Sequence, residues 1–140
     1  MASFVRVLVV DDYEPFRRFV CSMLGTKPEF QVIAEVADGL EAVTKSEELQ
    51  PDLVILDIGL PNLNGIEAAR QILNVLPECK ILFVSQEFSS EVVREALSFG
   101  ARGYIVEARA GSEFLLAVET VCQGKRFLGS GLSGEAYAAT

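Results

Sequence analysis

The chain has 140 residues, half of them hydrophobic and 23% charged, which fits one globular domain with its own core and excludes a disordered chain. Twelve Lys and Arg against twenty Asp and Glu leave a net charge of −8 with no basic stripe, so direct nucleic-acid binding by this segment is not expected. The absence of histidine excludes histidine metal ligands, histidine general bases and any phosphohistidine on this chain.

Taken in order, short apolar runs alternate with helical patterns. "VRVLVV", from Val5, reads as a strand buried on both faces, because β-branched residues run through it without alternation. Asp11 and Asp12 stand where it emerges, two adjacent anions that repel each other and are partly desolvated. From about Glu14 to Gly25, Phe16, Phe19, Val20, Met23 and Leu24 recur at helical spacing. "FQVIAEV" is a second strand, after which Asp38 caps a helix with Glu41 three residues on. "DLVILD" is a third, and Asn64 caps the helix carrying Ile66, Ala69, Ile72 and Leu73. "KILFVS" is the fourth, with Ser89 or Ser90 opening "EVVREALSFG", which stops at Gly100. "GYIV" is the fifth, followed by the helix "SEFLLAVETVCQG".

Residues 1–124 hold these elements, and 125–140, rich in Gly, Ser and Ala, read as a tail or the start of a linker to an output domain. Within that tail "GSGLSG" matches G-x-G-x-x-G, but no βαβ unit follows it, so a dinucleotide site is rejected. No stretch is long and apolar enough to span a bilayer, and no signal-peptide run opens the chain. Cys21, Cys79 and Cys122 are scattered without a CxxC pair and read as buried reduced thiols, which places the chain in the cytoplasm.

Alternating βα units of this size imply an α/β fold, a parallel sheet with helices on both faces. Ligands of such sheets bind beyond the carboxyl ends of the strands. Asp11, Asp12, Asp57, Ser85 and the stretch Tyr104 to Glu107 all fall there. Three clustered carboxylates are tolerable when a divalent cation neutralises them, and hard oxygen ligands with room for water suit Mg²⁺.

The stretches "VLVVDDYEP", "PDLVILDIGLPNLNGIEAARQI", "ILFVS" and "GARGYIV" together resemble the receiver domain of two-component response regulators, over about Val5 to Gly124. "GLPNLNG" and "AGSEFLLAVETVCQGKRFLG" are similar to the subfamily that carries a C-terminal helix-turn-helix DNA-binding output domain in transcription regulation. The resemblance implies a flavodoxin-like (βα)5 doubly wound sandwich with a parallel five-stranded sheet in the order 2-1-3-4-5. It implies a signalling switch and not a metabolic enzyme, a phosphoprotein whose acceptor Asp57 takes a phosphoryl group from a sensor histidine kinase. Asp12, Asp57 and the Gly59 backbone carbonyl would bind Mg²⁺ directly, and Asp11 through water. Ser85 would donate to a phosphoryl oxygen, and Tyr104 would be the aromatic switch that turns inward as Ser85 moves. An output domain, a partner protein or a second copy in a homodimer would meet the face made by the fourth helix, fifth strand and fifth helix.

One position departs from the family pattern. Glu107 stands where a lysine, three residues after the strand-five aromatic, would pair with the acceptor and then with the phosphoryl group. At about 4 Å and an effective dielectric of about 20, a unit-charge contact is on the order of 4 kcal/mol, too much to lose and reverse without adjustment. Glu107 then turns to solvent, takes a proton or joins the metal, while Arg109 or Arg102 could replace the cation. Two rival readings follow. The first is a pseudo-receiver, an interaction module not phosphorylated because of Glu107. The second is a Mg²⁺-dependent phosphatase of the haloacid-dehalogenase type, which the adjacent Asp11–Asp12 pair disfavours because that chemistry uses D-x-D.

Overall fold

The computed structural model describes residues 4–132. Six parallel strands run β1 (Val5–Val10), β2 (Phe30–Val36), β3 (Leu53–Leu56), β4 (Lys80–Ser85), β5 (Gly103–Val106) and β6 (Phe127–Leu128), in the sheet order β2-β1-β3-β4-β5-β6. The first five follow the expected order, and β6 adds a short strand from the segment read as tail. Residues 133–140 of that segment lie outside the described residues.

Alternation along the strands splits the core into two layers. Val7, Val9, Leu53, Ile55, Leu82, Val84 and Ile105 face α1 (Glu14–Leu24) and α5 (Ala110–Cys122). Leu8, Val10, Val54, Leu56, Ile81, Phe83 and Tyr104 face α2 (Gly39–Leu49), α3 (Gly65–Val75) and α4 (Ser90–Leu97). Both faces of the sheet are thereby covered, which is why its strands carry no polar alternation. Among the described residues, no helix is long and apolar enough to cross a membrane.

The caps sit where local chemistry puts them. Asp38 accepts from the Glu41 amide at 2.7 Å, Asn64 from the Glu67 amide at 3.0 Å, and Ser89, not Ser90, from the Val92 amide at 3.3 Å. Two helix ends differ from the pattern. α4 stops at Leu97, where the Ser98 hydroxyl bonds back to the Glu95 carbonyl at 2.8 Å and Gly100 takes φ +117°. α5 starts at Ala110, after a 3-10 turn over Glu107–Arg109, because Ser112 donates to the Arg109 carbonyl and does not cap. All three cysteines are free, but only Cys79 is buried; Cys21 and Cys122 are partly exposed, which corrects the expectation for those two.

Candidate functional site

The carboxyl ends of β1, β3, β4 and β5 open into one cleft of about 420 Å³, lined by Asp11, Asp12, Tyr13, Asp57, Gly59, Ser85, Gln86, Glu87 and Glu107. Backbone bonds set the height of two of the acids: the Asp11 amide donates to the Val36 carbonyl at 3.1 Å and the Asp57 amide to the Val10 carbonyl at 3.1 Å. One carboxylate oxygen each from Asp11, Asp12 and Asp57 lies within 4.8 Å of the other two. Asp11 is buried, Asp57 half-buried and Asp12 exposed. Arg17, which the sequence reading passed over, donates to the Asp11 carbonyl at 2.8 Å and pairs with Glu35 at 3.1 Å. It braces the backbone of Asp11 and leaves the carboxylate uncompensated.

Burial pushes the Asp11 carboxyl up to about 7, against the Tyr13 amide that donates to it at 2.9 Å; the charges of Asp57, Glu107 and Asp12 push the same way as burial. Burial also raises Asp57, opposed by the Ile58 amide at 2.7 Å, the Ser85 hydroxyl and the Gly59 amide. Glu107 is raised by burial and then by the Asp57 charge, with a hydrogen bond from Gln86 acting the other way. Glu107 thus faces the cleft, and its turning to solvent is not what the fold does. Neither arginine stands in for a lysine. Arg109 donates to the Ser130 hydroxyl at 3.2 Å, and Arg102 lines a hollow at the opposite, amino end of the strands with Lys80 and Arg126.

Ser85 is 1% exposed at the end of β4, and its Oγ accepts from the Glu87 amide at 3.2 Å. Tyr104 is fully buried, its hydroxyl donating to the Glu87 carbonyl at 2.7 Å and its ring 5.9 Å from that of Phe83. The ring is therefore already inward in this structure. Gly65 was another residue the sequence did not single out for the site. A Cβ there would lie 1.9 Å from the Asp57 carbonyl oxygen, so only glycine lets α3 abut the loop after β3. Gly65→Ala should lower stability by about 1–3 kcal/mol in urea titrations and weaken Mg²⁺ affinity, because that loop must shift. Gly59→Ala, whose Cβ meets nothing within 4 Å, should leave stability nearly unchanged.

The donor set suits a divalent cation: three hard oxygens converge, and burial, reinforced by neighbouring acids, makes the charged forms of Asp11 and Asp57 costly. An acidic cleft at this edge of a (βα)5 sheet, with a buried hydroxyl beside it, is the setting in which the comparison with known families is decisive. Residues 7–119 match the response regulator receiver domain. The chain belongs to that family. This receiver domain is 33% identical to the transcriptional regulatory protein DegU of Brevibacillus brevis over 124 residues, 89% of this chain and 52% of that protein. It is 36% identical to the DNA-binding transcriptional activator DevR/DosR of Mycobacterium tuberculosis, covering 89% and 57%. The chain thus spans about half the length of the curated relatives it matches. Among solved structures, a LuxR-family two-component response regulator from Aurantimonas sp. SI85-9A1 superposes with a TM-score of 0.90 at 30% identity, covering 98% of each chain. The receiver domain of a two-component response regulator is a signalling module and not a metabolic enzyme.

Proposed function

We propose that Asp57 accepts a phosphoryl group from a sensor histidine kinase and that the domain switches a transcriptional output. The observation that supports this best is the convergence of the Asp11, Asp12 and Asp57 carboxylates within 4.8 Å beside a buried Ser85. An Asp57 oxygen attacks phosphorus, the P–N bond to the donor imidazole breaks, and an acyl phosphate forms as the imidazole takes a proton. Ser85 donates its hydroxyl to a phosphoryl oxygen. Asp11, Asp12, Asp57 and the Gly59 carbonyl would hold Mg²⁺. When bound, the ion offsets charge on the phosphoryl oxygens. Asp11, the most buried of the three acids, keeps its position through the Tyr13 amide and the Arg17 brace. A helix-turn-helix output following this segment, and a homodimer, fit the relatives' roles in transcription.

The pseudo-receiver remains a second reading because Glu107 faces the cleft and the cleft lining contains no lysine or arginine. Mass spectrometry after incubation with Mg²⁺ and acetyl phosphate separates the two. One phosphoryl group is expected on the native domain, and none on Asp57→Asn or in chelator. No gain on the native domain favours the pseudo-receiver, and a gain that persists in Asp57→Asn moves the acceptor elsewhere.

A further inference from the structure

The hollow at the amino ends of the strands, about 390 Å³, is nearly as large as the acidic cleft at the other end. Lys80 opens β4, Arg102 stands just before β5 and Arg126 just before β6. Three neighbouring parallel strands thus each bring a cation to one edge. Gly103 pairs with Phe127, which sets Arg102 and Arg126 side by side. None of the ion pairs among the described residues uses Lys80 or Arg102. Glu78 is the one acid in the lining, and the Cys79 thiol, pushed up to about 12 by burial, brings no charge. The rest of the lining is apolar or bare. Leu73, Pro77 and Phe99 form a wall, and the Phe99 ring is held under the Arg70 guanidinium, 4.7 Å from its centre. The α4–β5 and α5–β6 connections turn at Gly100 (φ +117°) and Gly124 (φ +84°), so no side chain at either point fills the space.

We propose that this hollow binds a small phosphate monoester that carries an apolar or aromatic body. Three cations against one carboxylate leave two positive charges, which a dianionic phosphate matches and a single carboxylate does not. Guanidinium forks suit phosphate oxygens in shape as well as charge, and Lys80 adds a point charge beside them. The body of the ligand lies against Leu73, Pro77 and Phe99, away from water. A cavity of this volume, with an apolar wall and a few converging polar groups, is of the kind that holds small molecules. The site lies at the opposite end of the sheet from Asp57 and does not rest on the phosphoacceptor reading.

Amide chemical shifts recorded while phenyl phosphate, and separately inorganic phosphate, is titrated into the metal-free protein at low salt test this. Phenyl phosphate should shift the Gly100, Arg102 and Gly124 amides saturably, with a Kd of about 1 mM or below. Inorganic phosphate should bind the same amides at least about fivefold more weakly, since it leaves the wall uncovered. Arg102→Ala and Lys80→Ala should each weaken phenyl phosphate by roughly tenfold, with melting temperatures near native. Arg102→Lys, which keeps the charge and loses the fork, should fall between Arg102→Ala and the native protein. Shifts that stay linear to about 10 mM, or that saturate at other amides, overturn the site. Native affinity in both Arg102→Ala and Lys80→Ala overturns it as well. Equal affinity for the two probes overturns the role of the wall.

Discussion

Glu107→Lys is expected to raise the rate of phosphorylation, or the lifetime of the phosphoryl group, by roughly tenfold or more. Glu107 lines the cleft, where burial and then the Asp57 charge raise its cost of ionisation. Phosphorylated, the site would hold the remaining carboxylates and a dianionic phosphoryl against a single Mg²⁺, so it stays net negative. A lysine removes one negative charge and adds one positive charge within reach. Each contact is worth a few kcal/mol at most after screening, and about 1.4 kcal/mol is a factor of ten in rate. Phosphorylation rate and half-life for both proteins under one set of conditions are the measurements. A lysine variant no better on either count would show that Glu107 is not an electrostatic defect. Arg109 is engaged with Ser130, so a role for Glu107 as a metal ligand would then remain, and Glu107→Gln should weaken Mg²⁺ binding.

The second large effect is an inverted pH dependence of stability in the metal-free protein. Asp11 has its carboxyl raised to about 7 in the fold from 3.8, and Asp57 and Glu107 are raised as well. Between those limits the folded state binds more protons than the unfolded state, so stability falls as pH rises. In chelator the melting temperature should therefore be higher near pH 5.5 than at pH 8. A difference of about 2 kcal/mol, or roughly 5–10 °C, follows from the part of the Asp11 shift that lies above pH 5.5. Millimolar Mg²⁺ should reverse the trend, because it binds the deprotonated acids and stabilises the fold by mass action. Asp11→Asn should flatten the chelator curve. Parallel curves with and without Mg²⁺ would mean that the three acids do not form a cation site.

The strands, the caps at Asp38, Asn64 and Ser89, and the acids at the strand ends were legible because each is written in a few neighbouring residues. What the sequence did not carry is non-local. Phe127–Leu128 is too short to read as a strand, and it exists because β5 offers an edge and Glu113 a clamp. Gly65 looks like a poor helix former until α3 is seen to abut the Asp57 carbonyl. The direction of Glu107 was open among three outcomes, since a 3-10 turn over Glu107–Arg109 decides which way that side chain leaves β5. Arg109 could be imagined at the cleft for the same reason, although the turn sends it to Ser130.

The hollow lined by Lys80, Arg102 and Arg126 lies at the amino ends of the strands, and the carboxylates lie at the carboxyl ends. That hollow, which also holds Glu78, and the acidic cleft thus carry net charge of opposite sign at the two ends of the strands, within an overall charge of −8. An approaching molecule is turned by this field before it makes contact, over the ~8 Å that charges reach at physiological salt. A small anionic phosphodonor is repelled from the acidic mouth, whereas a donor protein with a basic face is guided to it. On the proposed phosphoacceptor reading of Asp57, added salt should then speed uptake from the first and slow it from the second.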